Sequence, residues 1–507
     1  MKRFSSLLAA AALFAAITGC QKEPAAGNEN AETAKAYAQL TFAFANDGTS
    51  KTLSADDSDS YDNSIPAEYE VKSAALYFVN TTDSKVAAIH TVASSNFTSQ
   101  KVGNEVYYTS MIQNLEIGTY RVYASINTTL GVNVGDAESE LITLITTSDA
   151  PGANVPASGI PMTSRKVGAA FGSTNSVLYD EVIISSNNTQ DNPCPISLEM
   201  ERAWAKVSYK TANADNTYAI KNNRNMGSTK IADITLTKYQ VLNQTKNWYA
   251  FRRACSVDNA YTITDNGYGY FNNGANLGYL YDPEIALKRV SDVKAASPAY
   301  TLVDGTEGTI NIAAAGTVQT LAYTHENALY KDAQLAGYVT TVRFTASIKP
   351  VTVTKTETQA AGVTTSVTEI TSGYTDLYFF EDKFYADLGA LNFVAELGVT
   401  ESNYSDFNVK KFVGAVCYYD YYIKHFDNGK NPTSIPVPAA TELLGVMEYA
   451  IVRNNSYVIT VGSILAPGND VANEVDAATA VEQVNSYFQV KLTIKPWVVR
   501  AQNAVLG

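Results

Sequence analysis

Leu40, Phe42 and Phe44 alternate with Gln39, Thr41 and Ala43, which gives one apolar face and predicts a strand with a buried side. The same period recurs along the chain. Ala74 to Val79, Val86 to Val92, Glu105 to Tyr108, Thr119 to Ile126, Val177 to Ser185 and Ile196 to Tyr209 read as strands separated by Asn, Gly and Asp. Within the last of these, Leu198 to Tyr209 reads as one continuous strand between domains. Ile231 to Leu242, Ala336 to Ile348 and Tyr457 to Val461 follow the same rule. Val351 to Thr358 and Val363 to Thr371 flank Ala360-Ala361-Gly362, a hairpin signal. Near the end, Phe488, Val490, Leu492 and Ile494 alternate with Gln489, Lys491, Thr493 and Lys495. Pro496 then interrupts, and Trp497 to Leu506 forms a further extended run. Phe384 to Gly398 and Val475 to Asn485 are the best helix candidates, and both are short.

This pattern predicts an all-β protein of sandwich architecture with a few short helices. The 33 Tyr and 18 Phe support it, because aromatic and β-branched residues fit a pleated, half-buried surface. A length of 507 residues allows two or three domains. The polar, turn-rich stretch from Asn213 to Ser228 puts a boundary near 200–228. Charge narrows the class further: 37 Lys+Arg against 50 Asp+Glu gives −13, the wrong sign for nucleic acid.

The N-terminus predicts export. Lys2 and Arg3 precede an apolar run from Leu7 to Ile17, too short for the roughly 20 residues of a membrane-spanning helix and suited to a cleaved signal. Ile17-Thr18-Gly19-Cys20 resembles the bacterial lipobox, which implies a signal peptide over 1–19 and lipidation of Cys20. Gln21 to Lys35 is polar and reads as a tether. Membrane attachment is then by acyl chains alone. Cys194, Cys255 and Cys417 fit no metal spacing and read as core or half-buried thiols.

Candidate chemistry adds little. His90, His325 and His425 form no metal-spaced pair, and there is no phosphate loop or nucleophile elbow. Asp56, Asp57, Asp59 and Asp62 lack the glycine and terminal glutamate of a calcium loop and read as a solvated loop. Tyr418, Tyr419, Tyr421 and Tyr422 could stack a sugar. In a strand they split between two faces, so core packing is the better reading. The expectation is a protein that is not an enzyme and uses no cofactor or metal.

Several blocks, in order, carry a family resemblance. They are the lipobox, the strand Ala38 to Phe44, Lys72-Ser73-Ala74-Ala75-Leu76-Tyr77-Phe78-Val79, Ile160-Pro161-Met162 and Glu201-Arg202-Ala203-Trp204-Ala205-Lys206-Val207. The most specific runs from Cys417-Tyr418-Tyr419 to Met447-Glu448-Tyr449-Ala450-Ile451-Val452-Arg453-Asn454-Asn455-Ser456-Tyr457. With these the chain resembles the fimbrillins of Bacteroidales, subunits of type V pili, and most of all the major subunits of the short fimbriae of Porphyromonas. The resemblance implies two transthyretin-like Greek-key β-sandwich domains, over 52–210 and 211–507. It implies a lipoprotein precursor at the outer membrane and a tether and propeptide strand over 20–51. It also implies that an Arg- or Lys-specific surface protease removes that strand, with Lys51 at the family's cleavage position. The excised strand carries Leu40, Phe42 and Phe44.

The resemblance further implies that a donor strand over 497–507 fills the vacated groove of the next copy. Trp497, Val499, Ala501 and Val505 lie on one face of that run. The partners it implies are copies of the same chain in a filament, and tip and anchor subunits. The expected function is the shaft of a cell-surface fimbria that supports adhesion and biofilm formation. The competing readings are a tip or accessory subunit and a surface glycan-binding lipoprotein.

Overall fold

The computed structural model describes residues 35–498, except 45–61, 64, 103–104, 150–151, 167–177, 223–228, 258–262, 269–278, 281, 289–290, 294, 296–299, 312–313, 330–332, 361–362, 426–447 and 485–486. Strands dominate. The longest described helix, Leu388–Ala395, spans 8 residues.

Nine strands make the first sheet. Its spatial order is Val86–Ala93, Ser73–Asn80, Gly118–Ile126, Met162–Lys166, Cys194–Arg202, Ala36–Phe44, Glu105–Leu115 and Thr98–Val102, with Asp180–Ile184 also paired to Gly118–Ile126. The join between Gly118–Ile126 and Met162–Lys166 is narrow: Ser125 faces Thr163 and Ile126 faces Met162. The two halves of the sheet meet over one core. Leu76, Phe78, Val122 and Ala124 from one half pack with Leu40, Phe42, Ile196 and Leu198 from the other.

A second sandwich follows. One sheet runs Asp62–Asn63, Phe488–Val498, Asn455–Ile464, Ala205–Thr211 and Val318–Thr324. The facing sheet runs Thr217–Lys221, Lys230–Leu242, Thr341–Pro350 and Val416–Tyr422, with Gly308–Thr309 beside Lys230–Leu242. Val207, Tyr209, Leu321, Tyr457 and Ile459 of the first meet Ile234, Leu236, Val342, Phe344 and Tyr419 of the other. A smaller sheet carries the expected hairpin, Val353–Ala360 and Val363–Ile370, in which Ala360, expected in the turn, pairs with Val363.

The two sandwiches share one pairing scheme. Ala36–Phe44 is antiparallel to Glu105–Leu115 and parallel to Cys194–Arg202. Ala205–Thr211 is likewise antiparallel to Val318–Thr324 and parallel to Asn455–Ile464. Facing them, Ser73–Asn80, Gly118–Ile126 and Asp180–Ile184 pair in series, as do Lys230–Leu242, Thr341–Pro350 and Val416–Tyr422. The terminal strand Phe488–Val498 stands outside this repeat, because the position beside Cys194–Arg202 is filled from upstream by Met162–Lys166.

Four sequence expectations change. Leu198 to Tyr209 is not one strand: the chain breaks at Ala203-Trp204, where the Ala203 amide donates to Pro161 O at 2.9 Å, and Ala205–Thr211 joins the second sandwich. Of the helix expected over Val475 to Asn485, residues 475–484 form turns and the short 3-10 turn Val481–Gln483 instead, tied to neighbouring turns by backbone bonds such as Val481 N to Gln334 O at 3.1 Å. The strand expected from Ala336 begins at Thr341, because Tyr338 and Val339 amides bond back to Leu335 O at 2.9 and 3.0 Å. Pro496 does not end the last strand, which runs on to Val498. The ring tolerates this place because the terminal strand lies near the sheet margin, where, among the described residues, only the two-residue stub Asp62–Asn63 lies beyond it.

Candidate assembly groove and terminal strand

The leading strand Ala36–Phe44 forms because its alternation matches the pleat. Ala36, Ala38, Leu40, Phe42 and Phe44 are buried, and Tyr37, Gln39 and Thr41 between them are half-buried. It is not a margin strand. Its register sets Leu40 against Ile196 on one side and Ser110 on the other. Aromatic rings close the far end: Phe42 lies 5.7 Å from Phe97, and Phe44 lies 5.8 Å from Tyr108 and 6.2 Å from Tyr69. Removal of this strand would leave a slot between Cys194–Arg202 and Glu105–Leu115, with unpaired backbone on both walls. Each large apolar side chain in it contributes roughly 1.5–3 kcal/mol of burial. Such a slot is a template for another strand.

The terminal strand is antiparallel to Asn455–Ile464 from Phe488, opposite Ile464, to Pro496, opposite Asn455. Phe488 is its apolar anchor, with ring centroids 5.3 Å from Tyr419 and 6.4 Å from Phe344. Its last described residues, Trp497 and Val498, run parallel to Asp62 and Asn63. These two lie 11 and 12 residues after Lys51 in sequence.

A buried polar junction lies between the sandwiches. Glu68, in the 3-10 turn Pro66–Glu68, is fully buried. Its Oε2 accepts from the Ile65 amide at 2.9 Å, and its Oε1 accepts from the Tyr323 hydroxyl at 2.7 Å. Lys206 Nζ lies 3.0 Å from the same Oε1, and Arg202 Nε donates to Glu68 O at 3.1 Å. Burial, and next the Glu68 charge, hold the Tyr323 hydroxyl well above the usual phenol value. Beside it Arg453 makes a two-pronged pair with Glu326, at 2.7 Å on each arm, and donates to Ala250 O and Tyr249 O. The sequence reading missed Glu68 and Glu326. The signal available was charge inside otherwise apolar runs, as in Glu201-Arg202 and Arg453.

The remaining predicted residues divide cleanly. Cys20, Lys51, Val499, Ala501 and Val505, the Asp cluster from Asp56 to Asp59 and the side chain of Trp497 lie outside the described residues. Cys194 and Cys417 are buried free thiols, and burial pushes Cys417 up to about 11; the Cys255 side chain is also outside the described residues. Tyr419 is buried, while Tyr418, Tyr421 and Tyr422 are half-buried in their strand. His90 is half-exposed. His325 and His425 are buried, and no group of metal-ligating side chains occurs among the described residues. Among them no helix is long and apolar enough to cross a membrane.

These observations define an all-β sandwich protein. Residues 410–503 match the family model of the major fimbrial subunit protein type IV, fimbrillin, C-terminal domain. That stretch holds Val416–Tyr422, Asn455–Ile464 and the terminal strand, so this part of the chain is similar to the C-terminal domain of fimbrial subunits. Among solved structures, a fimbrilin from Porphyromonas gingivalis W83 is similar at 15% identity over 92% of this chain and 99% of that one, with a TM-score of 0.42. The tip fimbrial protein Mfa3 of Porphyromonas gingivalis is similar at 11% identity over 91% of this chain and 100% of that one, with a TM-score of 0.40. No curated protein matches the chain.

Proposed function

We propose that this chain is a shaft subunit of a cell-surface fimbria, assembled by protease-triggered donor-strand exchange. The observation that carries the reading is the leading strand. Its apolar face is buried in mid-sheet, with ladders on both sides, and it precedes Lys51 in sequence. A strand so placed cannot leave spontaneously, because its core side chains and two ladders oppose exit. A cut at Lys51 removes the covalent link, and an incoming strand restores the same ladders. The fimbrillin match over 410–503 supports the class.

In this reading Cys20 carries a lipid that holds the precursor at the outer membrane. An Arg- or Lys-specific surface protease cuts after Lys51. Residues 497–507, through Trp497, Val499, Ala501 and Val505, enter the groove of the next copy. The contact is head-to-tail and open, so it propagates into a filament. The terminal strand stands outside the shared pairing scheme, which suits a part that serves a neighbour. Tip and anchor subunits complete the filament. We place the division between the two units at Ala203-Trp204, where the chain leaves the first sheet, rather than at 210/211.

Negative-stain microscopy of cells labelled with an antibody to this chain tests the reading. Labelled filaments are expected, and their loss when residues 497–507 are deleted. Diffuse surface label without filaments, or filaments that persist in the deletion, would overturn it.

A further inference from the structure

Away from the groove, Asp282, Lys288 and Asn327 meet among turns at the end of the second sandwich, where Lys230–Leu242 ends and Thr341–Pro350 begins, and none has a stated role in assembly. All three are buried, at 0%, 0% and 1% exposure. Lys288 Nζ donates to Asn327 Oδ1 at 2.8 Å and to Asp282 Oδ2 at 2.9 Å, with a longer contact to Ala328 O at 3.4 Å. Two groups hold the carboxylate: the Ala328 amide donates to Oδ2 at 2.6 Å and the Glu284 amide to Oδ1 at 2.7 Å. The amide is fixed too. Asn327 Nδ2 donates to Tyr338 O at 2.8 Å, Thr340 Oγ1 at 2.9 Å and Asn243 O at 3.3 Å. Carbonyls only accept, so Nδ2 takes that side and Oδ1 faces the amine.

We propose that Lys288 and Asn327 become joined by an isopeptide bond, with Asp282 as the proton carrier. An amine held against an amide carbonyl, sealed from water and beside a carboxylate, has the parts needed for transamidation. Proximity replaces a bimolecular encounter, and the dry site removes the competing hydrolysis.

The step balances without any added reagent. Asp282 takes one proton from the Lys288 ammonium, which frees the amine lone pair. Nζ attacks Cγ of Asn327, and the Nζ–Cγ bond forms as the carbonyl opens. The protonated Asp282 stabilises the charge that gathers on Oδ1. On collapse the Cγ–Nδ2 bond breaks. Nδ2 leaves as ammonia with its own two hydrogens and one more relayed through Asp282 from Nζ. Of the three protons on the ammonium, one remains as the new amide N–H, one departs with the ammonia and one stays on Asp282. Nothing is oxidised or reduced.

The bond would close a loop between residues 39 apart in sequence. It would tie the 3-10 turn Ile285–Leu287 to the segment after Val318–Thr324. The two described cysteines of this chain form no disulfide, so such a link would be a covalent constraint on the second sandwich that needs no oxidant.

The test is the mass of the purified chain and of its proteolytic peptides. A branched peptide joining the Lys288 and Asn327 segments is expected, lighter by one ammonia than the two linear peptides together. Its formation needs no other protein. In D282A the branched peptide should be lost, with both linear peptides recovered; K288R should do the same. Because the wild-type protein is read first, a misfolded variant leaves the test intact. Separate linear peptides with unmodified Lys288 and Asn327 in the wild-type chain would overturn the proposal. So would a branched peptide that forms as fully in D282A, for the role of Asp282.

Discussion

Glu68 and Lys206 meet at the junction of the two sandwiches, with Nζ 3.0 Å from Oε1 and both side chains almost wholly removed from solvent. Glu68 belongs to the 3-10 turn Pro66–Glu68, downstream of Lys51 in sequence, and Lys206 to the first strand of the second sandwich. The pair therefore fastens the 3-10 turn Pro66–Glu68 to the place where the sandwiches join. Its desolvation cost is offset only while the carboxylate keeps its other partners, the Tyr323 hydroxyl and the Ile65 amide. Glu68→Ala removes one member and leaves buried cationic groups without it. The expected loss is about 3–5 kcal/mol. Urea unfolding of the purified precursor measures it, and a change under about 0.5 kcal/mol would contradict the role given to the pair.

Phe42 offers a test that separates folding from assembly. It is fully buried against Phe97 and the first-sheet core. Phe42→Ala should destabilise the precursor by about 3–5 kcal/mol. In filaments matured by loss of residues up to Lys51, the same substitution should leave stability unchanged, because the residue has departed. Equal losses in both forms would show that the strand stays.

Lys51→Ala should abolish polymer ladders on mildly denaturing gels while leaving export and surface level unchanged. The mature N-terminus of the wild-type chain, read by mass spectrometry, should be Thr52. Normal ladders from the variant would remove Lys51 from the mechanism.

Two buried histidines predict an acid limit to stability. Burial lowers His325 to about 4, against a smaller opposing effect of its bond to Thr245 O; burial and then the Arg252 charge lower His425 to about 4. Both are accommodated neutral. Nδ1–H of His325 donates to Thr245 O at 2.7 Å, and its Nε2 accepts from Ser148 Oγ at 3.1 Å. His425 Nδ1 accepts from the Tyr457 hydroxyl at 2.7 Å, because that hydroxyl already accepts the Val452 amide. With folded values below the unfolded one of about 6.5, the unfolded state binds more protons as pH falls. Stability is complete above about pH 6.5 and declines from there to about pH 4, by roughly 3 kcal/mol for each histidine. Denaturant midpoints at pH 7 and pH 5 should show the fall, and His425→Gln should flatten it. A flat profile in the wild-type chain would contradict it.

The strands were legible where one side meets solvent and the other the core. Leu40, Phe42 and Phe44 fall on the buried side as their period predicts, and the hairpin around Ala360-Ala361-Gly362 closes as its turn signal predicts. The break at Ala203-Trp204 was not legible, because buried residues flank it on both sides, the charged Arg202 and Lys206 among them, and no glycine or proline marks it. The helix expected over Val475 to Asn485 failed for a related reason. Spacing within the segment suited a helix, but backbone groups of Gln334 and other distant turns compete for its hydrogen bonds.

The sequence alone determined the class: period-two alternation, aromatic content and sparse histidine leave an all-β chain without a metal or nucleophile motif. It also marked the leading strand and the terminal strand as unusually regular. What it could not contain is which strands become neighbours. Pairing is decided by packing between residues far apart, as in the ladder of Ala36–Phe44 with Cys194–Arg202. Only the tertiary structure sets the leading strand in mid-sheet rather than at an edge, and only it gathers Glu68, Arg202, Lys206 and Tyr323, or Asp282, Lys288 and Asn327, into dry clusters. Charges in such places are tolerable only when several separate segments converge to satisfy them, and no local pattern in the chain records that convergence.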